Sequence, residues 1–214
     1  MQVILRLSSS VGDKTEQSNK NVAALCLDSP ELLDEIAESF INKNEKLVAD
    51  CIEVFTLVAE TNPELILKYV EKIIPLLKNK NTRIRWEAMH TIALITKFIP
   101  EIINSIFFDI YTMILYDKSV IVRDYGIKTL AEFAGTNKET ANKSFPVFIE
   151  LLDIWGERHA AGIIDGLINL YSKLPEVKNE LLKVVEDFEN SERGTIRKAT
   201  KRLKKILLNT IQNK

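Results

Sequence analysis

The chain has 214 residues, of which 46% are hydrophobic and 28% charged, and its formal net charge is −1. These values are typical of a globular domain with a sizeable core and exclude a disordered or collagen-like chain. Two cysteines are too few for a disulfide framework or a four-thiolate metal site. The first ten residues lack a basic segment before their short apolar run, so the sequence predicts a cytoplasmic protein without a signal peptide or a membrane partner.

The N-terminal segment, residues 1–28, differs from the rest of the chain. It contains two short apolar runs, Val3–Leu7 and Val22–Leu27, separated by the polar stretch Ser8–Asn21. An end segment of a repeat protein covers the apolar face of the first repeat, which would otherwise be exposed to water. We therefore predict that residues 1–28 form an N-terminal cap with a loose loop.

Helix starts recur along the remainder of the chain. A proline followed by glutamate and an aliphatic residue occurs four times. Proline is favoured at the first helical position, where its missing N–H costs no helical hydrogen bond, and the adjoining glutamate interacts favourably with the helix dipole. The prolines are Pro30, Pro63, Pro100 and Pro175, and a fifth start is predicted at Asn137, which can cap a helix without proline.

Two further columns of residues repeat in step with these starts. Small residues recur every 36 to 38 positions, mostly with an apolar residue four positions later, which predicts a second helix with a buried stripe. Nine positions before each small residue lies an asparagine or aspartate, whose short side chain can bond the backbone of a turn. The small residues are Cys51, Ala88, Gly126, Gly162 and Ala199; the turn residues are Asn42, Asn79, Asp117, Asp153 and Asn190.

These columns define a repeat of about 37 residues. Its turn, aliphatic, basic and small positions, seen best at Asp117, Val122, Arg123 and Gly126, resemble the HEAT-repeat consensus. The resemblance implies an all-α fold, a right-handed α–α superhelix of about five HEAT-like or armadillo-like helix pairs behind the N-terminal cap. The repeats are predicted at residues 29–62, 63–99, 100–136, 137–174 and 175–214.

The repeat pattern has local exceptions. Ile196 occupies the basic position of the fifth repeat, so a continuous ladder of Asp/Arg pairs is not expected. Pro75 and Pro146 lie inside predicted first helices, and each is expected to bend its helix because proline removes a backbone donor and clashes with the preceding turn.

Patterns typical of catalysis are missing from the sequence. His90 and His159 lie 69 residues apart and belong to no metal-binding motif. No phosphate-binding loop or nucleophile elbow occurs, and Cys26 and Cys51 lie in apolar helical surroundings. The sequence therefore predicts no catalytic site, no cofactor and no metal site.

One face of the second helices is expected to line the concave side of the solenoid. It takes the positions one before and two, six and nine after each small residue. Its composition changes from acidic, with Asp50, Glu53, Glu60 and Glu87, through apolar to basic. The candidate partner-binding residues on this stripe are Tyr125, Lys128, Ala161, Ile164, Ile168, Tyr171, Lys198, Lys201 and Lys205.

Two segments of the stripe have two interpretations each. The second helix of the fourth repeat is apolar nearly all round, with Gly162 and Gly166 one turn apart that would let another backbone approach. It is either buried or a site for a partner or for self-association. The basic last helix is either a solvated terminal cap or a surface for nucleic acid or another acidic partner.

These features favour a non-catalytic scaffold or adaptor that binds a protein or peptide on its concave face. The alternative is a nucleic-acid-binding protein, because some alkylpurine DNA glycosylases resemble this architecture. Residues 1–62 hold five basic and eleven acidic side chains, whereas residues 191–214 hold eight basic and one acidic. This distribution disfavours the alternative, since an acidic N-terminal third repels phosphate.

Overall fold

A computed structural model describes residues 2–209, except for the side chain of residue 157. Regular structure within this range is helical, without strands, which confirms the all-α prediction. None of these helices combines the length and apolar character needed to cross a bilayer. The α-helices are α1 (Ser8–Val11), α2 (Gln17–Asp28), α3 (Leu32–Glu38), α4 (Glu45–Thr61), α5 (Val70–Ile73), α6 (Thr82–Ile95), α7 (Pro100–Tyr116), α8 (Val120–Ala134), α9 (Lys138–Tyr171), α10 (Lys178–Phe188) and α11 (Gly194–Asn209).

Short 3-10 segments complete the helical structure. Two of them flank α5, so the predicted first helix of the second repeat is divided into three pieces, and Pro75 lies near the start of the third. Pro146, in contrast, lies inside α9 without ending it. The 3-10 segments are Val3–Arg6, Ser39–Ile41, Pro63–Tyr69, Ile74–Lys78, Thr96–Phe98 and Pro175–Val177.

Four of the five predicted helix starts are confirmed by the local geometry, whereas at Pro30 the helix begins two residues later, at Leu32. Pro63, Pro100 and Pro175 are each the first residue of a helical segment. Asn137 caps α9 in a reciprocal arrangement: its Oδ1 accepts the Thr140 N–H at 2.9 Å, and the Thr140 hydroxyl accepts the Asn137 N–H at 3.1 Å. This capping box satisfies donors that the helix cannot pair itself, so no proline is needed there.

The first three turn residues have the predicted role. The side-chain oxygens of Asn42, Asn79 and Asp117 each accept the backbone N–H two residues later, at 2.8 to 2.9 Å. Arg85 joins two successive turns, because its Nε donates to Asp117 Oδ2 at 2.7 Å and its Nη1 to the Asn79 carbonyl at 2.9 Å. Although burial acts to raise the pKa of Asp117, the hydrogen bonds from Arg85 and from the Ser119 N–H lower it.

The fifth turn lies one residue later than predicted. Ser191, not Asn190, accepts the backbone N–H two residues on, at 3.3 Å. Arg197 Nη1 donates to the Ser191 carbonyl at 2.6 Å, six residues earlier, as Arg85 does to Asn79. Arg197 therefore holds the basic position that the sequence pattern gave to Ile196, whose side chain is buried.

The fourth predicted turn, at Asp153, does not interrupt the helical structure, because α9 is helical from Lys138 to Tyr171. A straight helix would separate residues 148 and 166 by roughly 27 Å. Yet a Cβ added to Gly166 would lie only 2.6 Å from Phe148 Cζ. The chain therefore reverses direction within α9, between Phe148 and Gly166, and the two halves of α9 pack against each other as a helix pair.

The N-terminal stretch Ser8–Asn21 is more ordered than the predicted loose loop, since α1 and the start of α2 lie within it. Asp13 closes the connection between them, accepting the backbone N–H groups of Thr15 and Ser18 at 2.8 and 3.0 Å. Hydrogen bonds from the same two residues hold the pKa of Asp13 well below its ordinary range.

Two compact units are present. The first comprises the described residues up to Ile99 together with Tyr116–Tyr125; in it α2 packs on α4, α4 packs on α6, and the Phe55 ring makes edge contacts with Phe40 and Tyr69. The second comprises Pro100–Leu115 and the described residues from Gly126; in it α11 packs against α9 and α10. The predicted repeat boundaries stay predictions.

The small residues lie at close helix contacts in four of the five repeats. Cys51, Ala88 and Ala199 are fully buried, and a Cβ on Gly126 would lie 2.7 Å from Ile114 Cγ1. Gly162 is the exception because it is exposed. The expectation that another backbone approaches these glycines is wrong for Gly166, which is buried against the Phe148 ring, and stays a prediction for Gly162.

These two glycines, one turn apart in α9, provide a matched pair of substitutions. Gly166→Ala should destabilise the protein by about 1 to 3 kcal/mol, because the added methyl group would overlap the buried Phe148 ring. Gly162→Ala should instead stabilise it by about 0.5 to 1 kcal/mol, because its site is exposed and alanine favours the helix. Urea unfolding followed by circular dichroism measures both, and equal effects would contradict this packing.

Candidate functional site

The apolar part of the predicted stripe does not form an exposed surface. Ile164 is 0% exposed and Tyr171 is 5% exposed, while Ala161 and Ile168 are half-buried. These residues lie in the second half of α9, which packs against α11. Ile164 and Tyr171 are therefore core residues, and their prediction as partner-binding residues was wrong.

The other predicted site residues fall in different units. Tyr125 belongs to the first unit and is half-buried. The lysines belong to the second unit and are exposed: Lys128 on α8, and Lys198, Lys201 and Lys205 on α11. The predicted site residues therefore lie on two candidate surfaces, one in each unit.

In the first unit, the acidic start of the stripe is partly buried. Asp50 and Glu53 on α4 are 2% and 6% exposed. Arg83 from α6 lies between them, forming ion pairs with Asp50 Oδ1 at 3.0 Å and with Glu53 Oε2. The N-terminal segment supplies two more donors, both at 2.7 Å: the Ser9 backbone N–H to Asp50, and Asn19 Nδ2 to Glu53. These contacts give both carboxylates partners, so their role is structural.

One repeat further on, Glu87 accepts hydrogen bonds from two neighbours. Trp86 Nε1–H donates to its Oε1 at 2.8 Å, and the Thr56 hydroxyl donates to its Oε2 at 2.8 Å. Thr56 also lies 2.9 Å from the hydroxyl of Thr91. Burial raises the pKa of Glu87, although both donors act in the opposite direction. The contact between α4 and α6 is therefore polar at this position.

An aromatic pair follows Glu87 along the same face. The rings of His90 and Tyr125 stack with centroids 3.9 Å apart and an interplanar angle of 14°. His90 Nε2 lies 3.9 Å from Glu60 Oε1. Burial, together with the negative charges of Glu87, Glu60 and Asp124, raises the pKa of Tyr125. We name Glu60, Glu87, His90 and Tyr125 the acidic-aromatic cluster.

The cluster combines two properties that attract cations. Its carboxylates produce a negative potential, which acts on approaching charges. An aromatic face attracts a guanidinium or ammonium group, the guanidinium also stacking on the ring. The side chain of Glu60 is 50% exposed and is therefore available for direct contact. Chemically, the arrangement suits the recognition of a basic side chain.

Metal binding and thiol chemistry receive no support from the described part of the chain. Within it, histidine, cysteine and acidic side chains form no group suited to a metal ion. Burial raises the pKa of both Cys26 and Cys51 to about 12, so neither thiol is activated as a nucleophile. His159 is buried and meets Trp155 edge to face.

Sequence reasoning placed Glu60, Glu87, His90 and Tyr125 on one stripe but missed the residues that hold them. Arg83 lies outside the stripe, and Asn19 lies in the segment predicted to be a cap. The contacts of both residues cross between repeats, over 30 and 34 positions to Glu53. The surplus of acidic residues among positions 1–62 is the only signal in the sequence that these carboxylates need a cationic partner.

No protein-family model matches the sequence, and no curated protein matches it. Similar solved structures include a designed armadillo repeat protein in complex with the peptide (KR)4, with 16% identity over 96% of this chain and 98% of that chain, and a TM-score of 0.73. A computationally designed armadillo repeat protein for modular peptide recognition has 17% identity over 95% and 98%, with a TM-score of 0.71. An engineered protein has 13% identity over 97% and 99%, with a TM-score of 0.72. The similarity confirms the helical-repeat fold.

The Arg83 network allows a stability test. Arg83→Gln should lower the free energy of unfolding by about 1 to 3 kcal/mol, because Asp50 and Glu53 stay buried without their cation; the partial exposure of Arg83, 38%, moderates the loss. Lys68→Gln is the control, since its ion pair with Asp34 is exposed to solvent and should contribute less to stability than the Arg83 network. Urea unfolding at pH 7 compares them; a smaller loss for Arg83→Gln than for the control would disprove the role of Arg83.

The raised pKa of Glu87 predicts a pH-dependent effect. The folded protein disfavours the charged carboxylate, so the contribution of Glu87 to stability is present at low pH and is lost as pH rises through its folded pKa. Glu87→Gln can accept from Trp86 through its amide oxygen and donate from its amide nitrogen to the Thr56 hydroxyl, and it should be more stable than the wild type at pH 7. Its advantage should shrink as pH falls toward 4.5, the ordinary value. Thermal unfolding between pH 7 and pH 4 measures this difference; a constant difference would refute the interpretation.

Proposed function

We propose that the chain is a non-catalytic scaffold or adaptor that binds an extended peptide segment of a partner protein, and that the acidic-aromatic cluster receives basic side chains of that segment. The observation that carries the proposal is the position of Glu60 and Glu87 beside the stacked rings of His90 and Tyr125. The designed armadillo protein of similar fold in complex with (KR)4 supports it.

The chemistry of the cluster favours arginine over lysine. A guanidinium group can stack on the Tyr125 ring while it donates hydrogen bonds to a carboxylate. Glu60 is the exposed carboxylate and makes the direct contact, whereas Glu87 is bonded to Trp86 and Thr56 and contributes its charge. A lysine ammonium group provides the same charge as a single point, without the planar stacking surface.

An extended peptide matches the spacing of the second helices. Packed helices lie about 8 to 10 Å apart, and an extended chain advances about 3.3 Å per residue. About three peptide residues therefore correspond to the step from α4 to α6. Alternating basic residues of a peptide can place one side chain at the cluster while its neighbours lie over the adjoining helices.

The absence of a catalytic step and a cytoplasmic location are parts of the same proposal. The buried carboxylates Asp50 and Glu53 are engaged by Arg83, which supports a structural use for them. Cys26 and Cys51 are buried and unpaired with each other, as suits a compartment where thiols stay reduced.

Fluorescence anisotropy with a labelled (Lys-Arg)4 peptide tests the binding face. The double substitution Glu60→Gln/Glu87→Gln should weaken binding about tenfold, because loss of two partly screened charges costs about 1.4 kcal/mol. The control is Glu64→Gln/Glu71→Gln, which changes the net charge equally at two exposed residues of the second repeat. Equal weakening by the two variants would show general electrostatic attraction and contradict the proposed face.

Binding of a second peptide tests the contribution of aromatic stacking separately from that of charge. Octalysine has the same number of basic residues as (Lys-Arg)4 and is expected to bind severalfold more weakly to the wild type, because lysine does not stack as a planar group. Tyr125→Leu should remove most of this difference. If octalysine binds as tightly as (Lys-Arg)4, the aromatic pair has no part in recognition.

A further inference from the structure

Helix α11 is strongly basic on its exposed side. The helix contains no acidic residue, and its buried residues, such as Ala199 and Leu203, form the side toward the core. Six cationic side chains occupy its exposed positions: Arg197, Lys198, Lys201, Arg202, Lys204 and Lys205.

Half of these cations are engaged within the second unit. Arg197 donates to the backbone carbonyls of Ser191 and Glu192. Arg202 pairs with Asp165, and Lys204 pairs with Glu189. The others, Lys198, Lys201 and Lys205, form no ion pair with any carboxylate that the structure describes, and we name them the lysine row.

The lysine row has the geometry of a linear charge array. Its members are three and four positions apart, so they lie on one face of the helix. At 1.5 Å per residue the row extends for about 10.5 Å. Phosphates on one strand of a DNA duplex are spaced about 3.4 Å along the axis, so the row spans about three of them.

We propose that the lysine row is a second interaction surface and that it binds the phosphate backbone of double-stranded nucleic acid. Lysine is an effective point-charge partner for phosphate, and binding of this kind needs no apolar contact. The lysines contact only the phosphate backbone of the nucleic acid, so binding is independent of base sequence. It is separate from the proposed peptide face, which lies in the first unit.

An acidic protein segment is a poorer match to the same observations. Protein interfaces have an apolar core and are depleted in lysine, whereas the lysine row is composed of lysine only. Carboxylates are recognised best by the paired donors of arginine, and both arginines of α11 are already engaged. An anionic membrane surface would also require an apolar helix face for insertion, and that face of α11 is buried in the core.

Binding of a fluorescein-labelled 20-base-pair DNA duplex, followed by anisotropy between 50 and 200 mM salt, tests the proposal. The wild type should bind at micromolar protein in 50 mM salt, and its affinity should fall steeply as salt increases. Lys198→Gln/Lys201→Gln/Lys205→Gln should reduce the slope of log affinity against log salt by about 3, because each lysine accounts for about one phosphate contact. The matched control, Lys173→Gln/Lys178→Gln/Lys183→Gln, removes the same charge from the second unit and should retain the slope.

Two results of the salt titration would overturn the proposal. One is no binding by the wild type in 50 mM salt at up to 100 micromolar protein, and the other is the same slope for the two triple variants. Circular dichroism shows whether each variant is folded; if the first triple variant is not, Lys201→Gln alone should lower the slope by about 1.

An unlabelled polyglutamate peptide with the same number of charges as the duplex distinguishes nucleic acid from an acidic protein. It should compete with the labelled duplex at least tenfold more weakly than unlabelled duplex does. Equal competition would assign the row to acidic polymers in general and would overturn the choice of nucleic acid.

Discussion

A guanidinium group between two buried carboxylates determines much of the first unit. Asp50 and Glu53 lie on α4 and Arg83 lies on α6, so their ion pairs fix one second helix against the next. The N-terminal segment donates hydrogen bonds to the same carboxylates from Ser9 and Asn19. Because a buried charge without partners is strongly unfavourable, these three elements have to assemble together. Their assembly in turn positions Glu87 and the aromatic pair.

The two units use different chemistry where helices meet. In the first, α4 and α6 are joined through hydroxyl and carboxylate groups, as at Thr56 and Glu87. In the second, a large side chain packs directly against a glycine, as the Phe148 ring packs against Gly166. Polar contacts leave charges near the surface of the first unit, whereas close apolar packing buries Ile164 in the second unit, where the exposed charges of α11 are all cationic. The two proposed binding surfaces follow from this difference.

Features that act within a few residues were predictable from the sequence. The helix starts at Pro63 and Asn137 and the turn at Asn79 depend on bonds to the nearest backbone groups, which the sequence displays directly. The predictions that failed concern features that depend on residues far apart in the sequence. Helical periodicity put Ile164 and Tyr171 on the stripe, but packing between α9 and α11 decided that they are buried. The one-residue displacement of the last turn becomes visible through the Ser191 side chain and the carbonyl partners of Arg197.

The Arg85 side chain has a consequence for how repeats unfold. It is bonded to a carbonyl of its own turn and to the carboxylate of the next turn, so it loses partners when either turn opens. Stability in a repeat protein is a sum of terms within repeats and terms between neighbours. Arg85 contributes to both terms at once, which couples the opening of these two turns. Duplication or loss of a repeat at this junction would therefore have to preserve an arginine and an aspartate as a pair, a constraint on sequence change that neither residue carries alone.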